Sequence, residues 1–341
     1  MNKVKFAIVG CGNIGKRHLA VIDADERADV VALCDSNREK VVALSELYGD
    51  IPYYLDYREL LEKTDADVIS ICTPHGLHAP MSIEAANKRK HVLVEKPMAL
   101  TTKDCQQMIE AAKTNEVQLM VVKQNRFNVP IQLTKDLLDA GKLGKVYMVQ
   151  CNVMWNRNPE YYSESDWRGK ERVEGGALYT QVSHFIDLLI WWFGDVIEAD
   201  ARLDTKLQQV EVEDCGTANV RFSSGVMGSL LWTTCVYNKN YEGSITIIAE
   251  KGTIKIGGPY LNKIDFFDVQ SFPIPDKSIF IDQPNHYGKY QGTSSNHDKV
   301  IGEVIKKLFQ EVHQVVEGDE GLKTVEAIEK IYQNQIPFNR E

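Results

Sequence analysis

The chain has 341 residues, of which 43% are hydrophobic and 26% are charged, so its size and composition predict two ordinary globular domains. Its net charge of -9 argues against nucleic acid or an anionic membrane as a partner, because both attract basic surfaces. The seven cysteines form no CxxC pair, and the sequence shows neither a signal-peptide pattern nor an apolar run long enough to span a membrane, which predicts a cytoplasmic protein with reduced thiols and no metal site.

The first predicted elements are a strand at residues 4–9, a glycine-rich turn and an amphipathic helix. The turn reads GCGNIG (10–15), which is the GxGxxG pattern in its informative place between strand and helix. Gly10 permits a tight turn, Gly12 lets the backbone approach a pyrophosphate, and Gly15 lets the helix pack closely on the strand. The helix N-terminus then offers N–H groups and a positive dipole to phosphates.

A second predicted strand, ADVVALCD, ends in Asp35, about 20 residues after Gly15. An acid at this place accepts hydrogen bonds from the adenosine ribose and repels a 2′-phosphate. The sequence therefore favours NAD over NADP as the cofactor, although Arg38 keeps NADP open.

Strands and helices continue to alternate up to residue 123, which predicts a doubly wound parallel sheet of the α/β class. The predicted helices cover residues 57–63, 79–88 and 101–114, and the predicted strands cover 67–74, 91–97 and 117–123. Ligands of such sheets bind beyond the carboxyl ends of the strands. Those ends carry Thr73-Pro74, Glu95-Lys96-Pro97 and Lys123-Gln124.

Lys96 stands at one of these strand ends, and Pro97 after it fixes its direction if the peptide bond is cis. The structural alternative is a surface lysine before a helix-breaking proline. Spacing alone favours that alternative, so a catalytic role for Lys96 needs further support.

The rest of the chain predicts a second domain. Strand-like segments cover 146–155, 198–207, 213–222, 226–237 and 242–250, and a late helix covers 317–333.

An apolar helix within 175–194 holds His184. Asp187 lies on the same face of this helix and is interpreted as mainly structural. A lone histidine on such a helix is more often a core residue. The predicted nucleotide-binding turn at 10–15, Lys96 and the preceding Gly-Gly turn nevertheless favour a functional role. His297 begins another helix-like run and is a candidate substrate contact from the second domain.

The segment 152–181 is rich in aromatic residues and arginines. Aromatic faces stack on sugar rings, and arginine forks bind phosphates or carboxylates. The alternative is a loop that merely packs its aromatic side chains on the body of the domain. The residues concerned are Trp155, Tyr161, Tyr162 and Trp167, with Arg157, Arg168 and Arg172.

Four stretches together, AIVGCGNIGKRH, CTPHGLHAP, HVLVEKPMAL and GGALYTQVSHFIDLLIWWFG, resemble the Gfo/Idh/MocA oxidoreductases over nearly the whole chain. The resemblance implies an N-terminal Rossmann domain at 1–123. It also implies an α+β substrate-binding domain at 124–341 with a large open, mostly antiparallel sheet. The outer face of that sheet often joins subunits in the family, so a homodimer or homotetramer is expected.

The family carries its chemistry on the lysine of the EKP motif, here Lys96, and on a histidine after the Gly-Gly turn, here His184. Many members have an aspartate where this chain has Thr180, whose hydroxyl is no general base at neutral pH. The resemblance implies cofactor contacts from Gly10, Gly12, Asn13, Ile14, Gly15, Asp35, Ser36, Thr73, Pro74, His78, Glu95, Lys96, Gln124, Trp167 and Arg168. It implies substrate contacts from Arg126, Arg157, Tyr161, Tyr162, Thr180, Gln181 and His184.

The segment before His184 is similar to a subgroup that oxidises C3 of UDP-N-acetylglucosamine, or of its glucuronic acid, in lipopolysaccharide sugar synthesis. An asparagine commonly fills the place of Thr180 there. The expected reaction transfers hydride from a secondary alcohol to NAD. Histidine ordinarily titrates near neutral pH, so His184 is the expected acid/base, with Lys96 holding the reacting oxygen. The reverse assignment of the two roles stays open.

Three other functions fit the same resemblance. An inositol or simple-sugar dehydrogenase usually keeps the aspartate that Thr180 replaces. A glycosidase that uses NAD transiently forms no net NADH. A non-catalytic NAD sensor has no need of both Lys96 and His184.

Overall fold

The computed structural model describes residues 3–273, 276, 284–286 and 291–336. Its contacts divide the chain into two compact units, Met1–Lys123 with His297–Val325, and Gln124–Asn296 with Glu326–Glu341. The division predicted from the sequence, 1–123 and 124–341, does not include the return of residues 297–325 to the first unit. That return depends on long-range pairing, which no local sequence pattern signals.

The strands in chain order are β1 (Val4–Val9), β2 (Ala28–Cys34), β3 (Tyr53–Tyr54), β4 (Val68–Ile71), β5 (His91–Val94), β6 (Leu119–Val121), β7 (Val146–Met154), β8 (Val196–Asp204), β9 (Cys215–Phe222), β10 (Met227–Thr233), β11 (Glu242–Ala249), β12 (Gly252–Gly257), β13 (Lys263–Val269), β14 (Pro284–His286), β15 (Gln291–Ser294) and β16 (Val316–Glu317). The predicted strands are all present among these. Most observed strands are shorter than predicted, because the apolar runs continue into the loops that follow.

The α-helices are α1 (Asn13–Asp23), α2 (Arg38–Leu47), α3 (Tyr57–Lys63), α4 (His78–Asn87), α5 (Thr102–Thr114), α6 (Val129–Asp139), α7 (Pro159–Ser163), α8 (Ser183–Phe193), α9 (His297–Leu308) and α10 (Gly318–Gln333). Two 3₁₀ turns cover His75–Leu77 and Gln124–Phe127, and a π-helical turn covers Leu178–Val182. In the described part of the chain, no helix combines the length and the apolar character needed to cross a membrane.

The sheet of the first unit has the strand order β16-β6-β5-β4-β1-β2-β3. All neighbours are parallel except β16, which pairs antiparallel with β6. β4 is buried throughout, as expected for a parallel strand covered on both faces. Because β5, β4, β1 and β2 are neighbours, their carboxyl ends bring four loops to one edge of the sheet. α9 packs on α1, which ties the returning segment to this unit.

The sheet of the second unit has the order β13-β12-β11-β7-β10-β9-β8 and is antiparallel except between β10 and β7. β10 alternates exposed and buried positions, so one face of the sheet packs on a core. α8 is buried along most of its length. The predicted fold class, a Rossmann-type parallel sheet followed by an α+β domain with a mostly antiparallel sheet, is confirmed.

Candidate active site

The glycine turn after β1 leaves no room for side chains at two positions. Gly10 has φ +95°, and a Cβ there would lie 2.6 Å from the carbonyl oxygen of Cys72. A Cβ on Gly15 would lie 1.8 Å from the carbonyl oxygen of Gly10. Any other residue at either place would push β1, β4 or α1 apart, so the close helix–strand contact depends on both glycines.

The start of α1 offers an anion site. Gly12 is the N-cap residue, no side chain caps the helix, and its first turn contains no acid. A Cβ on Gly12 would meet no atom within 4 Å, so the space beside this backbone is open. The N–H groups of the first turn, which begins with Asn13 and Ile14, form the positive end of the helix dipole, and no side chain caps them. These features fit the pyrophosphate of a dinucleotide.

Asp35 follows β2 and is held in place by main-chain donors. Its Oδ2 accepts from the Cys11 N–H at 2.7 Å, and its Oδ1 accepts from the Asn37 N–H at 2.8 Å. The half-buried carboxylate thus links the glycine turn to the start of α2, while Ser36 beside it is exposed. Each oxygen retains a lone pair that a ribose hydroxyl can use.

His78 connects the loops after β4 and β5. Its buried ring lies with Nε2 at 2.9 Å from the Thr73 carbonyl and Nδ1 at 2.7 Å from the Pro97 carbonyl. Burial lowers the pKa of His78, so the neutral ring donates to one of these carbonyls. The ring therefore fixes the segment around Pro74 relative to the EKP loop.

Lys96 is partly exposed and follows the buried Glu95. The Lys96 main-chain N–H donates to Glu95 Oε2 at 3.1 Å, and the Lys96–Pro97 peptide bond is cis. At the end of the next strand, the buried Lys123 donates from Nζ to Thr324 Oγ1 at 3.0 Å. Of these two lysines, Lys96 is the one that is partly exposed to solvent.

In the second unit, a buried carboxyl supports the helix that carries His184. Glu213 Oε1 accepts from the Leu178 N–H at 3.0 Å, and both its oxygens accept from the Tyr332 hydroxyl, at 2.8 and 2.9 Å. Burial raises the pKa of Glu213 to about 7. The π-helical turn that starts at Leu178 contains Thr180 and Gln181, and His184 follows in α8 with 4% of its surface exposed.

Thr180 takes the place of the aspartate that the family resemblance leads us to expect, and a different carboxyl lies nearby. The Thr180 hydroxyl donates to the Gly176 carbonyl at 3.0 Å. It also interacts with the carboxyl of Glu174, which is 2% exposed and accepts from the Gly169 N–H. Burial raises the pKa of Glu174. The sequence analysis missed Glu174, although an acid directly before the Gly-Gly turn is visible in the sequence.

Asp187 and Arg126 form a buried bidentate ion pair. Arg126 Nε and Nη2 donate to the two carboxylate oxygens of Asp187, each at 2.8 Å. The guanidinium also lies 4.9 Å from the ring centre of Trp191. Asp187 thus anchors the 3₁₀ turn containing Gln124 and Arg126 to α8, in keeping with a structural role, and substrate binding by Arg126 stays a prediction.

The loop before α8 brings two arginines to one aromatic ring. The guanidinium carbons of Arg157 and Arg168 lie 5.2 and 4.1 Å from the ring centre of Tyr161. Arg168 also donates to the Tyr161 carbonyl at 2.8 Å and lies 5.7 Å from the ring of Trp167. Gln181 Nε2 donates to the Tyr161 hydroxyl at 3.4 Å. Two arginines and an aromatic face are thus assembled beside the π-helical turn.

The neighbouring Tyr162 is more loosely held. Its hydroxyl lies 3.5 Å from Thr234 Oγ1, and its ring meets the ring of Tyr161 edge to face at 5.1 Å. Burial raises the pKa of Tyr162 to about 12, which keeps its hydroxyl protonated at neutral pH. Tyr162 is therefore a hydrogen-bonding group rather than an ionisable one.

Comparisons with known proteins identify the family of both parts of the chain. Residues 4–123 match the model of an oxidoreductase family with an NAD-binding Rossmann fold, and residues 131–255 match the GFO/IDH/MocA C-terminal domain. The chain belongs to the Gfo/Idh/MocA family of oxidoreductases. Its first unit is an NAD-binding Rossmann domain, so the predicted family, enzyme class and cofactor are confirmed.

Two similar solved structures are WlbA dehydrogenases in complex with NADH and UDP-GlcNAcA. The one from Bordetella pertussis has 36% identity and a TM-score of 0.88, covering 98% of this chain and 96% of its own. The one from Chromobacterium violaceum has 36% identity and a TM-score of 0.90, covering 98% and 94%. The myo-inositol 2-dehydrogenase of Thermotoga maritima is 26% identical over 74% of this chain and 74% of its own.

His297 is not where the sequence analysis placed it. It begins α9 in the first unit, where it is 1% exposed and lies beside His18 and Glu95. The predicted placement of His297 in the second domain is wrong, and its contact with a substrate stays a prediction. Packing of α9 on α1 decides its place, and local sequence does not encode that contact.

Proposed function

We propose that this protein is an NAD-dependent dehydrogenase that oxidises the C3 hydroxyl of a UDP-sugar such as UDP-GlcNAc or its glucuronic acid, UDP-GlcNAcA. The observation that carries the proposal is the 36% identity, over 98% of the chain, to two dehydrogenases whose structures hold NADH and UDP-GlcNAcA. The pair of arginines around Tyr161 supports it, because a guanidinium fork suits the diphosphate of a nucleotide sugar.

The proposed reaction divides its tasks between the two units. The open anion site at α1 and the fixed carboxylate of Asp35 hold the dinucleotide, whose nicotinamide, when bound, supplies the hydride acceptor. His184 takes the hydroxyl proton of the sugar, and Lys96 holds the reacting oxygen. Thr180 orients the substrate or the imidazole through its hydroxyl and transfers no proton.

The second candidate is an inositol or simple-sugar dehydrogenase. It is favoured by the likeness to the Thermotoga inositol enzyme, which has 26% identity. Thr180 counts against it. An NAD-assisted glycosidase remains a third candidate and is distinguished by hydrolysis without net NADH.

A substrate panel tests the proposal. Purified protein is incubated with NAD and UDP-GlcNAcA, UDP-GlcNAc or myo-inositol, with and without a 2-oxo acid to reoxidise NADH, and NADH absorbance is followed. NADH formation with a UDP-sugar but not with myo-inositol supports the proposal, provided that His184→Ala forms no NADH. Turnover with myo-inositol alone contradicts it and supports the second candidate.

We also propose a homodimer or homotetramer formed through the outer face of the second unit's sheet. Met148, Met227, Leu231 and Phe266 on β7, β10 and β13 are 44%, 59%, 37% and 52% exposed. Met148 and Met227 are direct neighbours in the sheet register. A row of large apolar side chains on one sheet face is typical of a subunit interface.

A further inference from the structure

Three buried side chains in the first unit transfer no proton in the proposed reaction. His18, Glu95 and His297 are 1%, 5% and 1% exposed. They come from α1, from the loop after β5, and from the first residue of α9, and their ligating atoms all lie within 4.8 Å of one another. Burying a carboxylate and two imidazoles together is costly unless their charges and hydrogen bonds match.

Their contacts form a chain that ends at the backbone of Lys96. His18 lies with Nδ1 at 2.8 Å from Ser70 Oγ and with Nε2 at 3.0 Å from Glu95 Oε1. His297 Nε2 lies 3.5 Å from the same Oε1. The other oxygen, Oε2, accepts the Lys96 N–H. The carboxylate therefore accepts from His18 on one side, with His297 nearby, and holds the main chain of Lys96 on the other.

The three groups differ in how readily they carry charge. Burial raises the pKa of Glu95, but the hydrogen bond from His18 and the nearby His297 outweigh burial and leave that pKa well below its ordinary value. Burial opposes protonation of His18, yet contacts with Cys72 and Glu95 raise its pKa. Burial lowers the pKa of His297. These directions favour a charged His18–Glu95 pair beside an uncharged His297.

We propose that His18, Glu95 and His297 act as a positioning triad that fixes the main chain of Lys96 and, through it, the lysine side chain. The proposal rests on the proposed function, in which Lys96 holds the reacting oxygen. Because α9 begins with His297, the return of α9 to the first unit places His297 beside Glu95. The three residues act through Lys96 and touch no reacting atom.

Two imidazoles and a carboxylate are also a zinc ligand set. Two of the separations, 3.0 Å from His18 Nε2 and 3.5 Å from His297 Nε2 to Glu95 Oε1, are close to the roughly 3.3 Å between donor atoms of a tetrahedral site. The hydrogen bonds from His18 and from the Lys96 N–H to Glu95 carry the positioning role without a metal, and a bound metal is an outcome of the test.

The first readout is independent of any substrate. In full-length protein labelled with ¹⁵N-lysine and saturated with NAD, the Lys96 amide is assigned by its loss in Lys96→Arg, and its hydrogen exchange is measured. We expect exchange on the order of tenfold faster in His297→Leu, as in Glu95→Leu, and near wild type in His297→Gln, which keeps a hydrogen-bonding group. The Lys5 amide, which donates to Asp67 Oδ2 at 2.9 Å, is the matched control and keeps its rate.

The second readout links the triad to the lysine. With the UDP-sugar substrate, His297→Leu is expected to lower kcat about tenfold with little change in either KM, and to cost nothing further in a Lys96→Met background. Unchanged Lys96 exchange in His297→Leu, additive losses in the double variant, or stoichiometric zinc in the wild type would each overturn the proposal. If no sugar is turned over, the proposed function fails while the exchange result still decides whether the triad holds Lys96.

Discussion

At the scale of single residues, the residues proposed to bind the cofactor and the substrate differ in how their side chains are held. Asp35 is fixed by two main-chain donors, so its orientation does not depend on a bound cofactor. Thr180 instead interacts with the buried carboxyl of Glu174, which comes from the segment before the Gly-Gly turn.

Asp35→Asn is expected to shift cofactor preference. Losing the negative charge weakens the bonds to the ribose and removes the repulsion of a 2′-phosphate, so the affinity ratio of NAD to NADP should fall on the order of tenfold. Fluorescence titration with NADH and NADPH measures the ratio. Asp67→Asn, which alters a carboxylate that accepts the Lys5 N–H, is the control. Equal losses for both cofactors would contradict the assignment of Asp35.

His184→Gln is expected to lower kcat by roughly 10²- to 10⁴-fold, because a glutamine cannot take the hydroxyl proton. The affinity for NADH, measured by fluorescence, should stay within about twofold of wild type, since the proposed dinucleotide site at α1 belongs to the first unit. A variant that keeps its kcat would return His184 to the group of ordinary core histidines.

At the scale of elements, the sequence was most informative where strand, turn and helix follow one another locally. The GxGxxG turn, the strand ends and α8 are all readable from periodicity and from the motifs that mark the family. The π-helical turn at Leu178–Val182 was not predicted, because its extra residue per turn is set by tertiary partners such as Glu213 and Tyr332. The Arg126–Asp187 pair was not predicted for the same reason, whereas Glu174 was visible directly before the Gly-Gly turn.

Glu213 should make stability depend on pH. The pKa of its carboxyl rises from 4.5 to about 7 on burial, so the folded state holds the proton where the unfolded state has lost it. Its contribution is complete below pH 4.5 and is lost as the pH rises to about 7, by roughly 3 kcal/mol. Urea unfolding of wild type and Glu213→Gln measures this, and the difference should grow in favour of the variant over that range. A difference independent of pH would contradict the pKa assignment.

The Arg126–Asp187 pair should be important for stability because both groups are buried. Asp187→Asn leaves a buried guanidinium without its carboxylate and is expected to lower the free energy of unfolding by about 3–5 kcal/mol. Glu198→Gln breaks the solvent-exposed pair with Arg221 and should lower the free energy of unfolding far less. Similar losses of unfolding free energy in the two variants would contradict the claim that burial makes the Arg126–Asp187 pair important for stability.

At the scale of the whole molecule, the sequence and the family motifs predicted both sheets and their order along the chain. They did not predict that residues 297–325 return to the first unit, because β16 pairs with β6 and α9 packs on α1 across long sequence separations. His297 was therefore assigned to the wrong domain. Long-range pairing of this kind is the part of the fold that local patterns do not encode.

Met227→Glu on the outer sheet face should dissociate the proposed oligomer. A charge placed next to Met148 in the register would be buried in the interface without a partner. Light scattering after size-exclusion chromatography measures the mass, with Met81→Glu, a change in α4 of the first unit, as the control. A wild-type monomer, or an unchanged mass in Met227→Glu, would contradict this interface.

The central claim is hydride removal from C3 of a UDP-sugar, and isotope transfer tests it most directly. The protein is incubated with NAD and UDP-GlcNAcA deuterated at C3, and the NADH formed is analysed by mass spectrometry. The account predicts that one deuterium appears in NADH and that His184→Gln forms almost none. NADH that carries no deuterium would show that hydride leaves another carbon and would contradict the account.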